Sequence, residues 1–480
     1  MSRHQFTRRQ LLGGASAALA AAPWAHAASP SPAIPDVLVL GAGLSGLYSA
    51  LLLEDSGARV QVLEGQSRVG GRIYTRFDLP GHPEVGGNTM GAGYGRMLNM
   101  AKRFKIPLMD YGPRMFAGPP PQLVVGGSMV SSEQWPSSPK NPFGAPLNAA
   151  KPWEFLGRRL AGSNPLAAST DWLTEQHRDL DVPLHQYLAA QGVSDREIQM
   201  SYDVNPYFGK SAWDVSALMY LFTQKWTQEQ IAIGRGLFTV KGGNQKLPQA
   251  MADALKSEVK LNQSVMAIDV GKSGVEVTTA DGTVHKARRV ISSLPLSKLR
   301  DIDIRPGIVG AQRQAIRTIA YMRNTLIFLV PKKPFWEEDG ISPSMWTNGL
   351  LGTVMAQKFA DDPSEVTGLV VNARGWGADR LDRMGPVDAP AAAIREIERL
   401  RPAAKGQLEV GGFHSWWMDP YAAGDWAIFG AGQVSNLVPD MAKPHQLLHF
   451  CGEHAAKANR GMEGAMESAE QAVMEVLTSL

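Results

Sequence analysis

Short hydrophobic runs ending in glycine-rich turns, with helix-period stretches between them, organise the first part of the chain. Val37-Leu38-Val39-Leu40 is a continuous apolar run, which predicts a strand buried on both faces. It runs into Gly41-Ala42-Gly43-Leu44-Ser45-Gly46, a helix follows, and Arg59-Val60-Gln61-Val62-Leu63 forms a second strand closing on Glu64. Further along, Val275 to Thr279, the Asp281-Gly282 turn and Val284 read as a hairpin. Val290-Ile291-Ser292-Ser293-Leu294-Pro295 is another buried strand leading to a turn. Ser169 to Trp226 has a helical period, with Trp172, Leu173, Leu184, Tyr187, Leu188, Leu218 and Leu221 as core positions. Pro119 to Pro152, rich in Pro, Gly, Ser and Asn, reads as a surface excursion.

The first of these units carries chemistry. Taken alone, G-x-G-x-x-G also suits a glycine-rich turn in an ordinary βαβ unit. Strand, helix and terminal acid together point to a dinucleotide site. Gly41 allows the tight turn, Gly43 lets the backbone approach a pyrophosphate, and Gly46 lets helix and strand pack closely. The phosphates then sit on the helix N-terminus, where unpaired N–H groups and the helix dipole favour negative charge. Glu64 is placed to accept hydrogen bonds from ribose hydroxyls.

Length and composition add limits. At 480 residues the chain exceeds one ordinary core, so two domains are expected. The 49 Gly and 32 Pro imply many turns, but no repeat or low-complexity tract is present. Residues 1–28 read as a targeting segment: Thr7-Arg8-Arg9-Gln10-Leu11-Leu12 has the twin-arginine pattern, an Ala/Gly/Leu stretch follows, and Ala25-His26-Ala27 is an A-x-A cleavage site. That stretch is too short to span a bilayer as a mature helix, so no membrane span is expected, and export of a folded protein to the periplasm is. Arg3, Arg8 and Arg9 carry the whole net charge of +3, which leaves a neutral remainder without a nucleic-acid or anionic-membrane footprint. The single Cys451 cannot form an internal disulfide, and no Cys/His cluster has zinc spacing, so no metal is expected.

Three further segments decide which dinucleotide. Arg68-Val69-Gly70-Gly71-Arg72 follows the ribose acid, His449-Phe450-Cys451-Gly452-Glu453-His454 lies far downstream, and Gly461-Met462-Glu463-Gly464-Ala465-Met466-Glu467-Ser468 comes after it. Together with the first unit they resemble the flavin-containing amine oxidase family, which includes monoamine, polyamine, L-amino-acid and bacterial nicotine oxidases. The resemblance covers nearly all of the chain beyond the targeting segment and implies FAD rather than NAD. It implies that R-x-G-G-R lines the pyrophosphate, that the Gly452-Glu453 pair holds the ribityl chain, and that the last helix points its N-terminus at the flavin N1–C2=O edge. A reduced flavin carries negative charge there, which a helix N-terminus stabilises. The cofactor-binding set so implied is Gly41, Gly43, Leu44, Ser45, Gly46, Glu64, Gly65, Gly70, Gly71, Arg72, Gly87, Asn88, Val265, Gly452, Glu453 and Met462.

The implied fold class is α/β, a Rossmann-like FAD-binding domain interleaved with an α+β substrate-binding domain. Residues 33–95, 235–310 and 446–480 form the first, and 96–234 and 311–445 the second. Val240 to Pro248 returns the chain to the FAD domain as the family's G-G-x-x-x-L-P segment does. Cys451 stands where the family usually has Ala and reads as a small packing residue.

On the substrate side the chain departs from the family in three places. Members that bind FAD covalently use a Cys in the segment matching Gly424-Asp425-Trp426; here Asp425 stands there, so the flavin is expected to be non-covalent. Many members flank the flavin with two aromatic residues. Trp426 matches one, Gly461 replaces the other, and Trp416 or Trp417 is the candidate to complete the pair, so Trp426 and Trp416 are the expected catalytic residues. Finally, the Lys that family oxidases place on the strand before Phe335-Trp336 falls on Thr325 or Leu326. Its loss removes an electrostatic aid to reaction of reduced flavin with dioxygen.

The expected function is oxidation of an amine or amino-acid C–N bond to an imine by hydride transfer to flavin N5, with dioxygen or a periplasmic carrier such as a cytochrome as acceptor. A related flavin desaturase or dehydrogenase acting on a non-amine C–H bond is the alternative. Arg96 is a candidate anchor for a substrate carboxylate; His82, His177 and His414 read as structural or exposed.

Overall fold

The computed structural model describes residues 34–480. The twin-arginine pattern and the A-x-A site lie outside the described residues. Strand Val37–Leu40 pairs in parallel with Val60–Leu63 on one side and with Arg289–Ser292 on the other, and Leu448–Phe450 completes the sheet beside Arg289–Ser292. All four residues of the first strand are buried, which is why it reads as a run and not as an alternation. Helices Leu44–Asp55 and Gly461–Leu477 pack together on this sheet, with Leu47, Leu51, Ala469 and Val473 in one core.

The second large sheet has seven strands in the order Leu408–Ser415, Asn324–Pro331, Gly368–Arg374, Thr353–Gln357, Met345–Thr347, Gln122–Val125 and Ser128–Val130. Alternation along its central strands sorts two faces. Ile327, Leu329, Val371 and Ala373 pack under Leu381, Ala393 and Ile397 of the helical stretch Trp376–Leu400, which is broken by non-helical Gly385 ahead of Pro386. Leu326, Phe328 and Val370 face the other way, toward Val85 and Trp416. A four-stranded sheet holds the expected hairpin, Val275–Thr279 with Val284–Ala287, beside Val265–Val270 and Asp303–Arg305.

Two sequence expectations change here. The stretch from Pro119 to Pro152 is not a mere excursion: Gln122–Val125 and Ser128–Val130 form a hairpin on the seven-stranded sheet, and Trp135, Phe143 and Ala150 are buried. The apolar Leu123-Val124-Val125 before Gly126-Gly127 was the signal that the Pro and Ser content concealed. The helical region before Trp226 is broken into short pieces ahead of Ala217–Ile233; its expected core residues are buried except Leu173, which is only partly so. Among the described residues no helix is long and apolar enough to cross a membrane, and no acid, His or Cys cluster could hold a metal ion.

Candidate active site

A cavity of about 700 Å³ runs from the carboxyl end of the four-stranded parallel sheet to the seven-stranded sheet. That is where ligands bind in open α/β sheets, and the volume is ordinary for a cofactor site. Gly41, Gly43, Leu44 and Ser45 line it at the first strand–helix turn; Glu64 and Gly65 line it at the end of the second strand. Gly70, Gly71 and Arg72 form the next stretch of wall, and Gly87, Asn88, Val265, Glu453 and Met462 also reach it.

Gly46 and Gly452 do not line the cavity. A Cβ on Gly46 would lie 2.0 Å from the Gly41 carbonyl oxygen, so its role is the close helix–strand packing. Gly452 donates its N–H to Ser468 Oγ at 2.9 Å, tying the strand end to the last helix.

Several features fit an extended anionic cofactor. Helices Leu44–Asp55 and Gly461–Leu477 both begin at the cavity without a side-chain cap, leaving N–H groups and positive dipole ends for phosphate and flavin oxygens. The buried Glu64 carboxylate accepts from Ala42 N at 2.6 Å and from Gln66 N at 2.8 Å, which fixes it at the cavity wall with lone pairs left for ribose hydroxyls. Burial raises its pKa, and those backbone N–H groups oppose the rise.

Arg72 and Glu453 form the central ion pair, at 3.0 Å. Burial works against both charges, yet each is held charged by the other: Arg72 lies above its ordinary pKa and Glu453 below. Glu453 also accepts from Ala427 N at 2.8 Å, and Arg72 donates to the Asp425 carbonyl, so the pair ties the R-G-G-R turn, the Asp425-Trp426 loop and the chain before the last helix together.

Glu84 braces the loop before Gly87. It accepts from Asn244 N at 2.6 Å and Thr75 Oγ at 2.8 Å, while the Asn244 side chain donates to the carbonyls of Gly87 and Asn88. Burial pushes the Glu84 carboxyl from 4.5 up to about 8. With the folded pKa above the unfolded one, the native state binds this proton more tightly. The stabilisation is complete below the unfolded pKa and lost as pH rises through the folded one. Melting temperature should therefore fall from about pH 5 to about pH 9, and Glu84→Gln should flatten that fall. Identical pH profiles for the two proteins in thermal melts would remove this role.

At the substrate end the wall is built by Tyr94, Tyr207, Trp226 and Trp426, with Asn324, Leu326, Asn372, Arg374 and Asp425. Trp426 is where the sequence placed it. Trp416 is not: it is 1% exposed, its indole N–H donates to the Val85 carbonyl at 3.1 Å, and its ring lies against Gly86, behind the cavity wall. Trp417 turns outward, with Arg323 over its ring at 4.0 Å. Neither completes an aromatic pair. Gly461 has a φ of 56°, a conformation that strains any other residue, and a Cβ there would lie in ordinary contact, 3.6 Å, with the Trp426 ring.

The strand register separates the two positions expected for the family's Lys. Thr325 is buried on the helix side and donates to Asp382 at 2.6 Å, whereas Leu326 lines the cavity. Among the described residues Lys298 is the cavity's only lysine, and Asp301 holds it at 2.7 Å. Arg96, the carboxylate candidate, is committed to Glu463 at 3.0 Å and Glu470 at 2.8 Å and does not line the cavity. His414 is half-buried, and desolvation pushes its pKa down to about 4. Cys451 is buried among small neighbours, which pushes its thiol up to about 12 and makes it a packing residue, not a redox group.

Sequence reasoning missed Tyr94, Tyr207, Trp226, Asn324, Asn372 and Arg374. For three of them a signal existed: Asn324 and the Asn372/Arg374 pair interrupt apolar strands at alternate positions, on the face away from the covering helix.

Residues 44–477 match the model of the flavin-containing amine oxidoreductases. The chain belongs to that family. By family it is an FAD-dependent amine oxidase. The chain is 25% identical over 474 residues to the flavin-dependent L-tryptophan oxidase RebO of Lentzea aerocolonigenes, covering 92% of this chain and 97% of that one. It is also 25% identical over 472 residues to the flavin-containing amine oxidase B of Homo sapiens, covering 93% and 86%. The fold matches cyclohexylamine oxidase from Brevibacterium oxydans with a TM-score of 0.75 at 21% identity, over 93% of this oxidase and 99% of the other.

Proposed function

We propose that this oxidase is exported by the twin-arginine route, holds FAD non-covalently, and oxidises the C–N bond of an amine or amino acid to an imine. The observation that carries the reading is one continuous cavity that joins a dinucleotide cradle to a Trp426-walled end with Asp425 in place of a linking Cys. The bound flavin would supply a two-electron acceptor: the substrate α-carbon gives up a hydride, the nitrogen loses a proton, and the released imine hydrolyses.

This chain's own residues bind, orient and exclude water. Trp426, Tyr94, Tyr207 and Trp226 supply an apolar wall that positions the C–H bond and keeps solvent out. Asn324 lines the cavity and donates to Asp425 Oδ2 at 3.1 Å, which fixes both side chains at the substrate end. The electrons pass on to dioxygen or to a periplasmic carrier. Arg8-Arg9 supports the compartment, and Leu326, one of the two positions expected for the family's Lys, supports a carrier.

The purified protein should be yellow, bleach anaerobically with members of an amine and amino-acid panel, and release all its FAD to the supernatant on acid precipitation. Flavin that remains with the pellet would rule out non-covalent binding. Flavin that no amine or amino acid bleaches would rule out C–N oxidation.

A further inference from the structure

The substrate end of the cavity carries more positive charge than an amine alone would call for. In the antiparallel pair of central strands, Asn324 stands opposite Arg374 and Leu326 opposite Asn372. All four line the cavity, so one patch of sheet forms its floor. Arg72 is paired with Glu453 and Arg323 with Asp379, but the Arg374 guanidinium has neither an ion pair nor a hydrogen bond among the described residues. Its recorded neighbour is the Tyr207 ring, 5.9 Å from the guanidinium carbon. Asn372 is 5% exposed, lines the cavity, and has no partner for its amide oxygen. Which amide atom faces the cavity is interchangeable by a flip, so this group can donate as well as accept.

A second guanidinium lies close by. Arg460, 5% exposed at the start of the last helix, is stacked between Phe208 at 4.7 Å, Trp426 at 5.6 Å and Phe222 at 5.7 Å, and its Nε has no partner. The acids that face them are Glu453, already paired with Arg72, and Asp425, whose pKa burial raises against the Asn324 amide and the Arg374 and Arg72 charges. Arg374 is half-buried and lines the cavity, so its guanidinium is available to an anion bound there.

We infer that the substrate carries a carboxylate next to the oxidised C–N bond, and that Arg374, helped by Asn372, is its anchor. This rests on the C–N oxidation reading above and narrows it to α-amino acids. The planar guanidinium grips a carboxylate through two parallel hydrogen bonds, which a lysine cannot reproduce. Because Asn324 lies directly across from Arg374, one small zwitterion can place its carboxylate on Arg374 and its nitrogen at Asn324. The anchor is a specificity determinant on the sheet, separate from Arg96.

The test uses the flavin-loaded enzyme and benzoate, an aromatic carboxylate that needs no turnover, titrated by calorimetry and by the change in flavin absorbance. Arg374→Ala should weaken benzoate about 10- to 100-fold, and Arg374→Lys should recover only part of that. Flavin content and melting temperature close to those of the unaltered protein establish that each variant is folded. Anaerobic reduction with L-phenylalanine and with 2-phenylethylamine, the same side chain without the carboxylate, supplies the second arm. The unaltered enzyme should favour the amino acid, and Arg374→Ala should cut that preference by a similar factor, mainly through KM. Unchanged benzoate affinity in Arg374→Ala, or a preference for 2-phenylethylamine in the unaltered enzyme, would overturn the inference. Reduction by neither compound would count against C–N oxidation, while the benzoate titration would still decide the carboxylate anchor.

Discussion

Glu453→Ala should purify as a nearly colourless protein. Removing this carboxylate takes away a group facing the cofactor cavity and strands the Arg72 guanidinium, which is paired at 3.0 Å in the intact site. Deleting one partner of a fully buried ion pair costs about 3–5 kcal/mol, and this half-buried pair should cost toward the lower end of that range, because the remaining charge loses its partner. The Ala427 N–H loses its acceptor as well, which loosens the loop carrying Trp426. Glu64→Ala should do less, about 1.5–3 kcal/mol in FAD affinity, since it removes a charged acceptor without stranding a cation. The A450/A280 ratio after purification and the FAD affinity of the reconstituted protein measure both. Full flavin occupancy in Glu453→Ala would sink the assignment of this pocket.

Reduced enzyme mixed with aerated buffer should reoxidise more slowly than substrate reduces it, and a quinone-like dye or soluble cytochrome should restore turnover. The cause is local. Leu326, one of the two positions expected for the family's Lys, presents an apolar side chain to the cavity, and the cavity's only lysine among the described residues is held by Asp301. Electron transfer to dioxygen creates negative charge beside the flavin, and a preorganised cation at that spot is worth about 100-fold in rate. Leu326→Lys should recover much of that factor. Stopped-flow reoxidation of both proteins decides the matter: reoxidation faster than turnover in the unaltered enzyme would leave no need for another acceptor.

The cofactor half of the site was legible because backbone constraints leave marks in sequence. A strand buried on both faces must be a continuous apolar run, Gly46 has no room for a Cβ, and an acid must close the second strand. The substrate half was not, because its side chains come from segments whose faces only the tertiary fold assigns. Trp416 and Trp426 are equally aromatic in sequence, yet a hydrogen bond to the Val85 carbonyl turns Trp416 away while Trp426 meets the cavity. Thr325 and Leu326 differ by one residue of register, which in a strand exchanges the two faces. Asn324, Asn372 and Arg374 gain their meaning only from the pairing of their two strands, which sets Asn324 opposite Arg374, a relation that no single stretch of sequence displays.

The order of the parallel sheet also sets a timetable for biosynthesis. Arg289–Ser292 keeps one edge open until Leu448–Phe450 arrives to cover it, and the helix that packs on Leu44–Asp55 is the last element of the chain. The cofactor cradle is thus complete only once residues 448–477 have been made, and until then the nascent protein shows an unpaired strand edge of the kind that recruits neighbours. Chains cut short near their end would keep that edge and hold no flavin. Colour in this protein is therefore a mark that residues 448–477 have folded into place, available to any step that must tell assembled molecules from unassembled ones.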